Sequence, residues 1–514
     1  MQCTDMGHRC NANRSRSFIA LVAVMSLLTG ACAVGPDFHR PSPPDIKGYA
    51  PQPLAKQTAA ADTAGGQAQQ LVEDQDIPAQ WWTLFHSESL NRLVEQALKA
   101  NPSLDAAHAA LRQAQENVSA AEGTLFPSVN ANGSSVRQKI SGAQFGNPKN
   151  PPSVFTLYNA SVNVSYGIDI FGLARRALES IEAQAEFQRY QLEAAYLTLS
   201  SNVVTTAVQE ASLRGQIAAI QEIIKLEAEQ LDVLQQQFDA GAIAKTNVLA
   251  QQVTLAQAQA NLPPLEKQLA LIRNQLAALA GNFPSQDIGV TFDLASLQLP
   301  LELPVTLPSR LVQQRPDIRA AEAQLHQASA QVGVATANMF PQFTLSGSIG
   351  SVATSAGDLF SSGAGVWSLG ANLAQPIFRG GTLTHQRRAA VAAYDEAAAN
   401  YRSTVLSAFQ NVADVLRALQ FDADALRAQS LAAQAASDSL DIARNQYQNG
   451  AISYLSLLNA QQAYQQTRVS LVQAQANRYA DTAALFQALG GGWWHRDDAV
   501  ADSTVIQKPA GAKQ

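Results

Sequence analysis

The residue types that carry most protein chemistry are present, but their spacing does little with them. Seven histidines, His8, His39, His86, His108, His326, His385 and His495, fall singly and match no metal-ligand spacing. The run Gly241-Ala-Ile-Ala-Lys-Thr246 lacks the glycine that precedes the lysine of a phosphate loop, and no strand leads into it. No G-x-S-x-G nucleophile signature occurs. Beyond residue 31 the only methionine is Met339, so a Met-rich copper relay is absent. The net charge of -6 gives no electrostatic case for nucleic acid. The chain is therefore predicted not to be an enzyme and to use no cofactor or metal.

One thiol does carry a chemical expectation. Arg9, Arg14 and Arg16 precede an apolar run, Phe18 to Leu28, that is too short to span a membrane as a helix. Then comes Leu28-Thr29-Gly30-Ala31-Cys32, which resembles a bacterial lipobox. Cleavage before the cysteine of such a box leaves it N-terminal and lipidated. Thr29 departs from the pattern, because a large aliphatic is usual there. Cys3 and Cys10 would leave with residues 1–31, so Cys32 would have no disulfide partner. No later segment reaches 18 consecutive apolar residues.

The rest of the chain repeats itself. Pro102 pairs with Pro316, and Phe126-Pro127 with Phe340-Pro341, both at a spacing of 214. Gly241 pairs with Gly450, and Gly281 with Gly490, both at a spacing of 209. Phe171 in "GIDIFG" matches Phe378 in "AQPIFRG". The repeats cover 87–281 and 309–490. Outside them lie an extended segment at 32–86, a Pro-rich linker at 282–308 and a tail at 491–514.

Each repeat has one plan. An amphipathic helix is predicted over 87–124 and over 309–339, each ended by a Phe-Pro pair. Strands follow. Val162, Val164, Tyr166, Ile168 and Ile170 alternate with polar residues, and so do Phe343, Leu345 and Ile349 and, further on, Trp367, Leu369 and Leu373. Period two means one wet face and one apolar face. Residues 172–239 and 381–448 then contain no proline, and each could form a helix roughly 100 Å long. Gly241 and Gly450 stand at natural C-cap positions. Return helices are predicted at 246–280 and 454–489. Heptad seams mark the first hairpin: Ile217, Ile220, Ile224, Leu231, Leu234 and Phe238 on one arm, Leu262, Leu265, Leu269, Ile272, Leu276 and Leu279 on the other.

Four strands cannot close a membrane barrel, since the smallest have about eight. Open edges are not viable in lipid. If these strands lie in a membrane, several chains must share one barrel, and the long helices must continue it as a tube.

Four stretches carry a family resemblance: "CAVGPDFHRP" (32–41), "LPSRLVQQRPDIRAAEAQLHQASAQVGVATANMFPQFTL" (307–345), "QPIFRGG" (375–381) and "ALGGGW" (488–493). Together the chain resembles the outer-membrane factors of tripartite efflux pumps, in particular their NodT-type lipoproteins. The resemblance covers nearly all of the mature chain. It implies a mixed fold of β-barrel plus long α-helices. Four transmembrane strands per chain would make, in a homotrimer, a twelve-stranded barrel and a twelve-helix periplasmic α-barrel. It implies an outer-membrane location with a lipid anchor at Cys32, a periplasmic adaptor and an inner-membrane proton-driven pump as partners, and export of small molecules through a passive, gated duct.

The resemblance places adaptor docking and gating at the two helix turns. Phe238, Gly241, Tyr447 and Gly450 are the docking residues it implies, and Thr246, Asn247, Leu455, Asn459 and Gln462 the gate. Asn247 and Asn459 stand where Asp is common, and Gln462 where Arg is frequent. These substitutions predict a gate held by amide hydrogen bonds and a Leu455 ring, weakly cation-selective and little changed between about pH 5 and 7. Rival readings are the duct of a type I protein secretion system and a lipid-tethered periplasmic scaffold.

Overall fold

The computed structural model describes residues 33–46, 48–141, 143, 149 and 151–496. The predicted signal peptide 1–31, the lipidation candidate Cys32 and the tail beyond 496 lie outside the described residues. The first half contains β1 (Gln70–Glu73), α1 (Glu88–Ala100), α2 (Pro102–Glu122), β2 (Ser128–Ile140), β3 (Ser153–Ile168), α3 (Leu173–Asp239) and α4 (Lys245–Leu279). The second contains β4 (Glu302–Val305), α5 (Pro308–Gln314), α6 (Pro316–Ala337), β5 (Gln342–Ala353), β6 (Gly365–Ala374), α7 (Thr382–Gln448) and α8 (Tyr454–Ala488). Among the described residues no helix is long and apolar enough to cross a membrane.

Two sequence expectations are corrected. The single helices expected over 87–124 and 309–339 are each two helices. Asn101 and Arg315 leave helical geometry, with ψ of 120° and 123°. Each precedes a proline, whose ring disfavours helix in the residue before it. Among the described residues the strands number six rather than the expected four, because β1 and β4 pair in parallel as a separate small sheet. These two short strands lie in the Pro-rich segments and have no alternating pattern to betray them.

The chain divides into two units, each drawing on both sequence halves. The first comprises 33–40, 112–187 and 321–401. Its antiparallel sheet has the order β2-β3-β5-β6. Register fixes its faces. Val162 pairs with Ile349 and Ala131, Tyr166 with Leu345, Ile168 with Phe343, and Ile349 with Trp367, all on one apolar face. The opposite face carries Asn130, Asn163, Ser165, Ser346, Ser348 and Ser368. β2 and β6 are open edges. At the helix end of the sheet, Phe171 stacks on Phe340 at 4.9 Å.

In the same unit, residues 33–40 are pinned to the helices. Buried Arg176 reaches Asp37 at 2.6 Å and Glu179 at 2.7 Å. Phe38 stacks on His326 at 4.4 Å, and Arg40 meets Glu322 at 2.6 Å. Gly35, at φ +99°, lies against Gly333, and a side chain on either would clash.

The second unit comprises 41–111, 188–320 and 402–496. Trp81, Phe85, Leu90, Val94, Val203, Val208, Phe292, Leu416 and Phe486 belong to its main core. Trp81 stacks on Phe486 at 5.3 Å, so this tryptophan packs the interior. The heptad seams face inward: Ile220 and Ala258 are buried, with Ile224, Leu262 and Leu265 packed on them. Pro263 and Pro264 sit inside α4, which loses two backbone donors there.

The segment before β1 is bolted to α8. Fully buried Gln69 donates to the Pro300 carbonyl and to Thr482 Oγ1, both at 2.9 Å, and accepts from Arg478 Nη2 at 2.8 Å. Beside this bolt, burial and the neighbouring Asp422 push the Asp481 carboxyl up to about 7, against the attraction of Arg478. Its folded pKa thus exceeds its unfolded value. The stability it contributes is present at low pH and is lost as pH rises through about 7. Asp481→Asn is expected to melt like the wild type at about pH 3, below the ordinary Asp value, and to be more stable by about 1–2 kcal/mol at about pH 8, allowing for solvent screening. Melting curves across that range check this, and equal destabilisation at both pH values would refute it.

Candidate functional site

Two very long helices must stop and reverse, and both do so in the same way. Ala242 and Ala451 N–H groups donate to the Gln237 and Gln446 carbonyls at 2.8 Å. Gly241 and Gly450 N–H groups donate to the Phe238 and Tyr447 carbonyls at 2.8 and 2.9 Å. This paired cap needs a left-handed residue. Gly241 and Gly450 supply it, with φ of +75° and +69°.

Beneath the turns the two hairpins share a small core of Leu234, Val248, Leu440, Ala443, Tyr454 and Leu457. Phe238, Ile243, Tyr447 and Ile452 close over it. Tyr447 meets Tyr454 edge-on at 5.8 Å, and its hydroxyl donates to Gln237 Oε1 at 3.5 Å. Phe238 and Tyr447, three residues before each glycine, therefore belong to one apolar cap.

Thr246, Asn459 and Gln462 are exposed, and Asn247 is half-buried. Leu455 is 64% exposed, a largely uncovered apolar side chain among the described residues. Among the described residues, none of these polar side chains hydrogen-bonds within the chain. The amide hydrogen bonds come from residues that sequence reasoning passed over.

Gln251, fully buried on α4, donates from Nε2 to Glu227 Oε2 at 2.5 Å and to the Glu227 carbonyl at 2.9 Å. The Tyr454 hydroxyl donates to Gln251 Oε1. Gln465 Nε2 donates to Glu227 Oε1 at 3.0 Å. Glu227 on α3 is 2% exposed. Four residues on three helices thus tie the first hairpin to the return helix of the second. Burial raises the Glu227 pKa, outweighing the two amide donors and the more distant Arg444. A signal existed: the triplet Ala-Gln-Gln recurs after each tip glycine, and its first glutamines, Gln251 and Gln461, are both buried. Among the described residues no group of three or more His, Cys, Asp or Glu could hold a metal.

A family model described as "Outer membrane efflux protein" matches residues 93–282 and again residues 307–491. The chain belongs to the outer membrane efflux protein family. The two matches take in both tips and all four strands of the large sheet. This outer membrane efflux protein is 34% identical over 460 residues to the pyoverdine export outer membrane protein OpmQ of Pseudomonas aeruginosa, covering 87% of this chain and 94% of that protein. It is 28% identical over 479 residues to the probable outer membrane lipoprotein SilC of Salmonella typhimurium, covering 92% and 98%. It superimposes on the solved outer-membrane channel OprN with a TM-score of 0.80 at 28% identity, covering 90% of this chain and all of that one. The family expected from the four sequence stretches is borne out, and the names of these relatives describe an export protein, a lipoprotein and a channel of the outer membrane, none an enzyme.

Proposed function

We propose that three copies of this efflux protein close into one gated duct that passes small molecules out through the outer membrane. The observation that carries this is the sheet: four antiparallel strands, one apolar face, one Ser/Asn face and two open edges. Neighbouring copies satisfy β2 and β6, and the polar face becomes the pore lining. Helix α7 supports the same reading. Its exposed Leu406, Phe421, Leu431 and Ile442 fall on one side of a 3.6-residue helix and need a partner surface. In this reading Cys32 carries the lipid anchor, as the lipobox-like sequence suggests, and residues 32–86, 87–281, 282–308, 309–490 and 491–514 are anchor segment, repeat, linker, repeat and tail. The tips at Phe238, Gly241, Tyr447 and Gly450 dock a periplasmic adaptor fed by a proton-driven inner-membrane pump.

The gate is formed by Leu455 with Thr246, Asn247, Asn459 and Gln462, which carry no charge. Conductance of the purified full chain in planar bilayers tests the reading. Discrete steps with weak cation preference are expected, and Asn459→Asp should raise the cation-to-anion permeability ratio about twofold or more, because each copy adds a negative charge to a narrow ring. A chain that never conducts would sink the duct. A chain that conducts with an unchanged ratio in Asn459→Asp would remove Asn459 from the gate.

A further inference from the structure

The four strands of the large sheet contain two charged residues, Arg137 and Lys139, and both are cations. Both sit on β2, near the turn that leads to β3. On the apolar face, the rows run from Ile168 with Phe343 up to Tyr158 with Ala353. That is ten strand steps, roughly 33 Å along the strand, or about 25 Å of height at an ordinary barrel tilt. This equals the apolar band of a membrane barrel. Tyr158 pairs with Ser135 at its upper edge. The next two rows on this same face are Arg137 with Thr156 and Lys139 with Val154. The cations therefore begin roughly 7 Å further along the strand, about 5 Å of height beyond the band, at head-group level. At the other end of the sheet, by contrast, Asp169 and Arg175 satisfy each other at 3.3 Å.

We propose that Arg137 and Lys139 form a binding site for the phosphates of the outer leaflet, specifically of a phosphorylated glucosamine glycolipid of the lipid A class. This rests on the reading that the apolar face meets the membrane hydrocarbon. The turns lie at the end of the sheet opposite its helices, and so at the outer surface of a barrel whose helices are periplasmic. There the Arg137 fork suits two phosphate oxygens and Lys139 adds a point charge. Three copies give a ring of such sites around the rim.

Native mass spectrometry of the detergent-purified full chain tests this. The probes are bisphosphorylated lipid A, the same lipid after phosphate removal, and phosphatidylglycerol. Wild type is expected to retain bisphosphorylated lipid A about tenfold better than the dephosphorylated form, and R137Q/K139Q to lose that preference. The double variant should still insert into vesicles and conduct normally. Equal retention by wild type and double variant, with insertion intact in both, overturns the proposal alone. Equal retention of phosphatidylglycerol overturns the assignment to a glycolipid. Failure of both proteins to insert overturns the membrane reading and this site with it.

Discussion

Replacing Glu227 by alanine should loosen the hairpin ends by about 2–3 kcal/mol, since the buried Gln251 amide and the half-buried Gln465 amide would each lose an acceptor at about 1–2 kcal/mol. Gln251 and Gln465 both donate to this carboxyl, and Gln251 also holds the Tyr454 hydroxyl. Truncation therefore cuts the bond from α3 to α8 and weakens that from α3 to α4, while the Tyr454–Gln251 bond between α8 and α4 remains. Amide hydrogen exchange over 231–255 and 440–466 should speed up about 30-fold at the lower figure, while exchange in the core around Trp81 should not change. Bilayer conductance should show more open time. The pH dependence has a definite sign. The folded carboxyl binds its proton more tightly than the unfolded one, so its contribution is full at low pH and fades as pH rises above the ordinary carboxyl range. Glu227→Gln should remove that fading while keeping the volume. Unchanged exchange in Glu227→Ala would show that the network is packing without a holding role.

The second large effect concerns Glu210. This carboxylate is fully buried, and Oε1 accepts from Arg214 at 2.7 Å and from Arg273 at 2.8 Å. Arg273 also meets Asp287 at 2.5 Å and donates to the Val290 carbonyl at 3.3 Å. One acid thereby joins α3, α4 and the linker. Glu210→Ala leaves two guanidinium groups facing each other across an empty site. The expected loss is about 3 kcal/mol, the low end for breaking a buried pair, because both arginines are about a quarter exposed and can rehydrate. Urea unfolding of the purified protein measures it. Replacing the charges together, as Glu210→Leu with Arg273→Met, should recover part of the loss. A single variant that unfolds at the wild-type midpoint would show that water already shares this site.

Much of the architecture was legible because it rests on local rules. The absence of proline over 172–239 and 381–448 marked the two 67-residue helices, and the tip glycines marked their ends. Period-two alternation marked β3, β5 and β6, three of the four strands of the large sheet. The helix breaks at Asn101 and Arg315 were also local, since each residue precedes a proline, and the sequence reading overlooked them. β1 and β4 were illegible for another reason. Each has four residues, and only their parallel pairing makes them strands.

The same division holds at the tips. Phe238, Gly241, Tyr447 and Gly450 could be picked out because helix capping is a property of a few consecutive residues. Glu227 could not, because its partners Gln251 and Gln465 come from other helices, and Gln465 lies more than 200 positions away. Sequence by itself determined the four long helices, the strand-forming segments, the repeat and the family resemblance, since patterning and capping act over short range. Tertiary structure alone decided which polar side chains are buried, which carboxyls Glu210 and Glu227 hold the hairpins, and which sheet face bears Arg137 and Lys139. Desolvation and register depend on what the rest of the chain brings alongside.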